Sequence, residues 1–493
     1  MKTHKRTRVC ISVCEKDLNA LQNACERAIE WADFVELRFD CLDAEPENIA
    51  QVLSSFPRPV ILTFRPSEQG GHRDVSREER EAFWKMQAAR GDSIWWDVEA
   101  DLVRDLSPDW SRTIVSHHDF AGVPTDLEQI YERLAQTPAR VLKIAVQAKE
   151  ISDCIPVFRL LDRARSDERE IIAIAMGNAG IATRILGPSR GAFLTYGALD
   201  DDSATAPGQV NARKLRSRYN IDAINDETMI CGLVGLPVMS SFSPRIHNAA
   251  FASEGINGVY LPFEVRDVNS LFKRMVHPLT RELTWNLRGL SITAPHKQAV
   301  MECLDWIEPD AKEIGAVNTV VVEKKRLLGY NTDAAGLIDP LQRHLGSLAD
   351  RRVAIIGAGG AARAAIWALQ QHKAMVTLFA RDVAKAQTLA QSFNVSCQAL
   401  SSASFSGLDL VINATPLGSG EHIDQSPVTQ EQLSGARLVY DLVYNPIDTR
   451  FLQEARKAGC ATLGGLEMLV AQARIQFELW TGKKFKLPQI VTD

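Results

Sequence analysis

Lys143 stands in the middle of an apolar run, Val141-Leu142-Lys143-Ile144-Ala145-Val146. Burying a charged amine in such a run is costly, so burial favours its neutral form. A neutral amine can attack a carbonyl carbon and form an imine. His118, within Ser116-His117-His118-Asp119-Phe120, is of the residue type that exchanges protons near neutral pH. The competing reading of Lys143 is an internal salt bridge. A different chemistry is written at Gly357-Ala358-Gly359-Gly360-Ala361-Ala362. Glycines in a turn let the backbone approach a pyrophosphate, and a helix starting there offers N–H groups and positive potential. The competing reading is a tight strand–helix turn with no ligand.

Each centre needs a scaffold. In the first 200 residues, short β-rich runs alternate with charged, helical stretches. The runs fall at 9–13, 34–39, 60–64, 94–98, 113–116, 141–146, 171–176 and 192–196, with helix patterns at 17–32, 77–90, 126–135 and 155–164. Eight such units predict a (β/α)8 barrel, whose chemistry belongs at the C-terminal ends of its strands. Glu36 and Arg38 lie late in run two, Arg65 ends run three, His117, His118 and Asp119 end run five, and Lys143 lies in run six. Any one of these reads equally well as a salt bridge or surface group; the whole set does not. A basic helical stretch at 211–220 and a hydrophilic linker at 222–228 follow. The glycine turn comes after a buried-strand run at 352–356 and before a helix at 363–371, with the next strand at 376–379. That context raises a weak motif to a dinucleotide-binding one.

With 493 residues the chain exceeds one hydrophobic core. The division expected is a barrel at 1–222, a substrate region at 229–337 to which 450–493 returns, and a Rossmann cofactor region at 350–449. A net charge of −5 argues against nucleic acid and anionic membrane partners. The nine cysteines are scattered, Cys10 and Cys14 are spaced CxxxC, and no His/Cys group has zinc spacing. Reduced thiols, no metal and a cytoplasmic location are therefore expected. The basic opening MKTHKR meets Glu15, Lys16 and Asp17 too soon for a signal peptide, and so short an N-terminus does not support a plastid form. The most apolar stretch, 353–369, holds Arg363 and the glycines, against a membrane span.

The strings VELRFD (35–40), TFRPSEQGG (63–71), SHHDF (116–120), KIAV (143–146), MGNAGIATR (176–184) and TAPGQ (205–209) resemble type I 3-dehydroquinate dehydratase, in that family's order. The resemblance implies a Schiff-base lysine at Lys143 and a general acid/base at His118. It also implies substrate contacts from Glu36, Arg38, Arg65, Arg184 and Gln209, with Thr205 where the family often has serine. A guanidinium suits a substrate carboxylate because it binds it bidentately. A class I aldolase barrel would also use a strand lysine but leaves SHHDF and TAPGQ unexplained. One departure stands out. Where the family usually has an acid before the two glycines, and is expected to set it beside the histidine, this chain has Gln69, with Glu68 before it. A slowed or pH-shifted dehydratase is expected, and a catalytically impaired N-terminal half is the alternative.

GLPVMSSFSPRIHNAAF (235–251), SITAPHK (291–297), GAVNTVV (315–321), GYNTDAAG (329–336), GAGGAARAA (357–365), NATPLG (413–418), DLVYNP (441–446) and GGLEMLVAQA (464–473) resemble the shikimate dehydrogenases. The resemblance implies NADP as cofactor, Lys297 and Asp333 as a catalytic pair, and a polyol acid held by Ser241, Ser243, Thr293, Asn318, Tyr444 and Gln472. Ser291 replaces an asparagine common in bacterial members. Cofactor contacts are expected from Gly357, Ala358, Gly359, Gly360, Ala361, Asn413 and Gly465. Together the halves imply conversion of 3-dehydroquinate to 3-dehydroshikimate and then to shikimate. A quinate-preferring dehydrogenase is the alternative in the second half. NADP is also argued from the residues themselves. After the strand at 376–379 come Ala380, Arg381 and Asp382, with Lys385 one turn on. NAD sites place an acid at this strand end and NADP sites an arginine. Arg381 and Lys385 can converge on a 2′-phosphate, provided Asp382 turns away to cap the following helix.

Overall fold

The computed structural model describes residues 6–43, 56–86 and 93–486. The first five residues and the last seven, both inside expected regions, and the end of the helix expected at 77–90 lie outside the described residues. The chain forms two compact units. One comprises 1–230, 257–276 and 280–286; the other comprises 231–256, 277–279 and 287–493.

In the first unit β1 (Val9–Val13), β2 (Phe34–Arg38), β3 (Val60–Thr63), β4 (Ile94–Glu99), β5 (Thr113–Asp119), β6 (Val141–Gln147), β7 (Glu170–Met176) and β8 (Thr195–Gly197) form one sheet. Every named neighbour pair is parallel. The seam between β7 and β8 is bridged where Ile171 meets Ala192, and Phe193 N donates to Ile171 O at 2.7 Å. The expected (β/α)8 barrel is present.

Successive side chains in a strand face opposite ways, so residues two apart share the barrel interior. The lower interior is apolar: Cys10, Phe34, Ile61, Trp95, Ile114, Val141, Ile172 and Phe193 form one cluster. Trp95 packs on Phe34 and Phe193 with ring centroids 5.9 and 5.4 Å apart. Two residues further along β1 to β6 the interior turns polar, with Ser12, Glu36, Thr63, Asp97, Ser116 and Lys143 buried, while β7 stays apolar with Ile174. Register holds this layer level: Thr63 pairs with Arg38 and Asp97, and Ser116 pairs with Glu99 and Lys143.

One expectation fails. Cys14 and Cys41 form a disulfide, with Cα atoms 5.3 Å apart, and His72 brings a ring nitrogen within 4.8 Å of their sulfurs. The pair is 27 residues apart in the chain, so motif spacing does not reveal it. Parallel pairing of β1 with β2 brings their C-terminal ends together and with them the two cysteines. The other seven cysteines are free thiols.

In the second unit, six parallel strands run in the spatial order Ser396–Ala399, Met375–Ala380, Arg352–Ile356, Leu410–Asn413, Leu438–Asp441, Ala461–Leu463. Numbered along the chain this is 3-2-1-4-5-6, the doubly wound order that binds dinucleotides where the strand order reverses. That point lies between Ile356 and Asn413, and Gly357 follows Ile356 directly. A separate sheet carries Leu287–Ile292 antiparallel to Thr319–Glu323, which is antiparallel to Arg326–Tyr330. The last helix, Leu466–Thr481, packs on helices Asp333–Leu345 and Ser243–Ser253. Among the described residues no helix is long and apolar enough to cross a membrane.

Candidate active sites

The polar end of the barrel encloses a small cavity of about 50 Å³. Its walls include all eight barrel residues expected there: Glu36, Arg38, Arg65, His118, Lys143, Arg184, Thr205 and Gln209. Lys143 is the centre. Its Nζ lies 2.7 Å from Asp97 Oδ2, 3.2 Å from Glu36 Oε1 and 3.0 Å from Tyr196 Oη. These four residues come from β2, β4, β6 and β8, and alternate strands supply one layer of a barrel interior. The internal salt bridge that was the competing reading of Lys143 is therefore present.

Arg65 organises the other wall. Its Nη2 meets Asp97 Oδ2 at 2.8 Å, and its Nη1 lies 3.1 Å from Glu99 Oε1, 2.6 Å from Ser116 Oγ and 3.1 Å from His118 Nδ1. Burial opposes ionisation of Asp97, but the Arg65 and Lys143 cations outweigh it and hold the carboxyl at about 2. Burial pushes Glu99 up to about 7, despite the pull of Arg65 and Arg80. Glu36, also opposed by burial, is held below the usual carboxylate range by Lys143. Withdrawal from water, then the Arg65, Lys143 and Arg38 cations, hold the His118 imidazole well below its ordinary value. The ring is therefore neutral at pH 7 and available to take a proton.

The three arginines are not equivalent. Arg38 is bidentate on Asp40, at 2.9 and 2.7 Å, and Arg65 faces Asp97 and Glu99. Arg184, on helix Ile181–Leu186 and 1% exposed, has no acidic partner among the described residues. Its Nη2 donates to Pro207 O at 3.1 Å and its Nε is buried without a partner. Burial alone pushes it down to about 10. Pro207 lies in the loop where Gln209 Oε1 accepts from Thr205 N at 2.9 Å. In that loop Gly208 has φ +71, and a Cβ there would meet Gly177 O at 2.2 Å. An arginine buried without a counter-charge calls for an anion from outside the protein.

Gln69 lines the cavity, with its Oε1 buried and without a partner among the described residues. The carboxylates reach His118 through Arg65 from β4, as Asp97 and Glu99, rather than from the glycine turn. Sequence reasoning missed Asp97, Glu99, Ser12 and Tyr196. The signal was the two-residue alternation of Trp95-Trp96-Asp97-Val98-Glu99, which sets both acids on the inner face.

The second site is a cavity of about 520 Å³ lined by Ser241, Ser243, Thr293, Lys297, Asn318, Asp333, Tyr444 and Gln472, with Ala361 and Gly465 beside them. Lys297 Nζ lies 2.5 Å from Asp333 Oδ2, and Asn318 Nδ2 donates to Asp333 Oδ1 at 2.8 Å. Ser241 Oγ lies 3.0 Å from Tyr444 Oη and 3.2 Å from Ser243 Oγ. Burial raises the Tyr444 phenol, which therefore remains a hydrogen-bonding hydroxyl. Ser291 also lines the cavity and donates to Gln476 Oε1 at 2.7 Å. Gln476 was missed, although it lies one helical turn after Gln472 and faces the same way.

The glycine turn abuts this cavity. Gly357 has φ +111, and a Cβ on Gly360 would lie 3.1 Å from Lys297 Cδ. No side chain caps helix Gly360–Gln371, so its first N–H groups are open to a phosphate. Ala358 and Gly359 are exposed, and a Cβ on Gly359 would meet nothing within 4 Å. This room and these donors fit a dinucleotide. Arg381 and Lys385 are exposed, and Asp382 Oδ1 accepts from Lys385 N at 3.1 Å, capping its helix as expected. Asn413 does not line the cavity. It is fully buried and joins Asp441 Oδ1 and Leu417 O at 2.9 and 3.3 Å, shaping the loop at the strand ends.

A barrel with a lysine–histidine cavity and a doubly wound fold with a lysine–aspartate cavity define a lyase and a nicotinamide-dependent dehydrogenase in one chain. Residues 9–226 match the Type I 3-dehydroquinase family. Residues 233–320 match the shikimate dehydrogenase substrate binding domain, 340–443 the shikimate / quinate 5-dehydrogenases and 465–489 the shikimate 5'-dehydrogenase C-terminal domain. The chain is 33% identical to the chloroplastic bifunctional 3-dehydroquinate dehydratase/shikimate dehydrogenase of Arabidopsis thaliana, covering 96% of this chain and 82% of the relative. Shikimate dehydrogenases (NADP(+)) of Caldanaerobacter subterraneus subsp. tengcongensis and Methanocaldococcus jannaschii are 40% and 39% identical, over 53% and 52% of this chain and 95% and 93% of theirs. The chain belongs to the bifunctional 3-dehydroquinate dehydratase/shikimate dehydrogenase family.

His118 should stay neutral as pH falls through 6.5, because burial and three cations disfavour its charged form. Its ring carbon NMR signals, assigned by difference with His118→Gln, should titrate only at clearly lower pH. A midpoint at or above 6.5 contradicts this electrostatic picture.

Proposed function

We propose that the barrel dehydrates 3-dehydroquinate through an imine on Lys143, and that the second half reduces 3-dehydroshikimate to shikimate with NADPH. The chain divides accordingly into a dehydratase at 1–222, a substrate-binding part at 229–337 with 450–493, and an NADP-binding part at 350–449. The observation carrying the first activity is the buried, uncompensated Arg184 in the same cavity as Lys143 and His118. Arg184 takes the substrate carboxylate, and the ring ketone is presented to Lys143. Lys143 forms the C–N bond and water departs. The iminium acidifies the adjacent C–H, His118 takes that proton and returns one to the departing hydroxyl. Water then hydrolyses the imine, so the net loss is one water. Glu36, Arg38, Arg65, Thr205 and Gln209 hold and orient the ring. The complete polar set, with Asp97 and Glu99 present, weighs against an inactive first half.

In the second half, Ser241, Ser243, Thr293, Asn318, Tyr444 and Gln472 offer the hydroxyls and amides that a polyol acid needs. Bound NADPH, on the helix N-terminus at Gly360–Ala361, supplies hydride. Lys297, held by Asp333, gives the carbonyl oxygen its proton. Shikimate rather than quinate is favoured by the naming of the relatives at 39% and 40% identity. A cytoplasmic setting is our reading; seven unbridged thiols favour it and the Cys14–Cys41 bridge counts against it.

Lys143→Ala should abolish dehydration while leaving shikimate oxidation intact, and Lys297→Ala or Asp333→Asn should do the reverse, lowering kcat far more than cofactor affinity. Both are read by separate assays on the full chain; loss of both activities in a folded variant would overturn the division of labour. Arg184→Met should raise the KM for 3-dehydroquinate by about 30-fold or more, as expected for removing one partner of a buried charge pair. An unchanged KM would move the carboxylate elsewhere. Arg381→Ala should raise the KM for NADP markedly and leave NAD kinetics nearly unchanged. Equal efficiency of the unmutated enzyme with both cofactors would sink that assignment.

A further inference from the structure

We propose that Tyr196 is a further catalytic residue of the barrel: its hydroxyl relays the protons exchanged between Lys143, Glu36 and the substrate oxygen while the imine forms. The proposal rests on the imine reading of Lys143. Tyr196 is 3% exposed and enters the cavity from β8. Its Oη lies 3.0 Å from Lys143 Nζ and donates to Glu36 Oε1 at 3.3 Å, and Nζ sits 4.3 Å from its ring centroid. Lys143, Tyr196 and Glu36 thus form a donor–relay–acceptor chain beside the direct Nζ–Oε1 contact of 3.2 Å, and only the chain also leads on through a hydroxyl that can turn to the substrate oxygen. A buried phenol needs a hydrogen-bond partner in any case, so partnership alone proves nothing. What is particular is that the partner is the atom that must lose protons and then form a bond.

Two neighbours argue for a relay. Asp97 is nearer to Nζ, but its Oδ2 is shared with Arg65, whereas Glu36 Oε1 meets the single cation Lys143 and is the freer of the two to take a proton. Burial, and after it the Glu36 and Asp97 charges, raise the Tyr196 phenol well above its ordinary value. Tyr196 therefore keeps its own proton and can accept one only while passing another on, which is what a relay does. The steps balance. The Lys143 ammonium gives a proton to Tyr196 Oη as Tyr196 gives its own to Glu36 Oε1. The free amine bonds to the ketone carbon, leaving N⁺H2 and an alkoxide on neighbouring atoms. Tyr196 carries one proton from that nitrogen to that oxygen. The proton stored on Glu36 returns through Tyr196 to the hydroxyl, which leaves as water, and the iminium is left with Glu36 again ionised.

Tyr196→Phe keeps the ring against Nζ and removes only the hydroxyl. On the full chain, kcat for dehydration should fall by about 100-fold, the size typical of a positioned acid–base group, with KM changed by less than about threefold. In single turnovers with 3-dehydroquinate, formation of the borohydride-trapped adduct on Lys143 should slow in parallel. A Tyr196→Phe enzyme that traps and turns over within about twofold of the unmodified protein overturns the proposal. If the unmodified protein gives no trapped adduct, the imine reading itself fails, which separates the two. Should Tyr196→Phe not fold, trifluorotyrosine at 196 decides: it keeps the hydroxyl and makes it more acidic. A relay then changes the trapping rate and its pH profile, whereas an unchanged rate and profile overturn the relay.

Discussion

A cation taken out of water needs opposing charge or a ligand that brings it, and the barrel site is built on that requirement. Lys143 and Arg65 are both buried above an apolar plug. Burying an ion costs several kcal/mol even after relaxation, and removing one partner of a buried pair costs about 3–5 kcal/mol. Asp97 serves both cations at once, at 2.7 and 2.8 Å. Glu36 completes the pairing of Lys143, and Glu99 that of Arg65. The lysine is therefore kept inside the fold, its position fixed, by Asp97 and Glu36.

The same requirement, left unmet, marks where substrate charge belongs. Arg38 and Arg65 are compensated within the protein; Arg184 is not. A ligand carboxylate placed at Arg184 would complete the charge balance of the cavity, so binding energy would be concentrated on an anion.

In the second half the constraint is geometric. A pyrophosphate on a helix N-terminus needs bare backbone, and glycine supplies it at 357, 359 and 360. Because Gly360 packs on Lys297, the glycine turn also limits where the Lys297 side chain can sit. Asn318 fixes the other carboxylate oxygen of Asp333, so the Lys297–Asp333 pair is set in place by the fold itself.

The sequence alone determined the barrel, the glycine turn and many of the polar residues that line the two cavities. Strand and helix periodicities are local, and the glycine turn, SHHDF and the lysine run lie within a few residues of the elements that carry them. Asp382 as a helix cap was equally local and legible. Tertiary structure decided what depends on closure of the barrel. Lys143, Glu36, Asp97 and Tyr196 come from four alternate strands, so their contact is invisible until the sheet curls on itself. The Cys14–Cys41 bridge overturned an expectation of uniformly reduced thiols for the same reason: neighbouring strand ends meet although the residues are far apart in sequence. That the Asn413 side chain joins Asp441 and its own loop was likewise legible only in the fold. Whether a charge is already paired is a property of three-dimensional proximity, and only the fold could single out Arg184 from the other arginines.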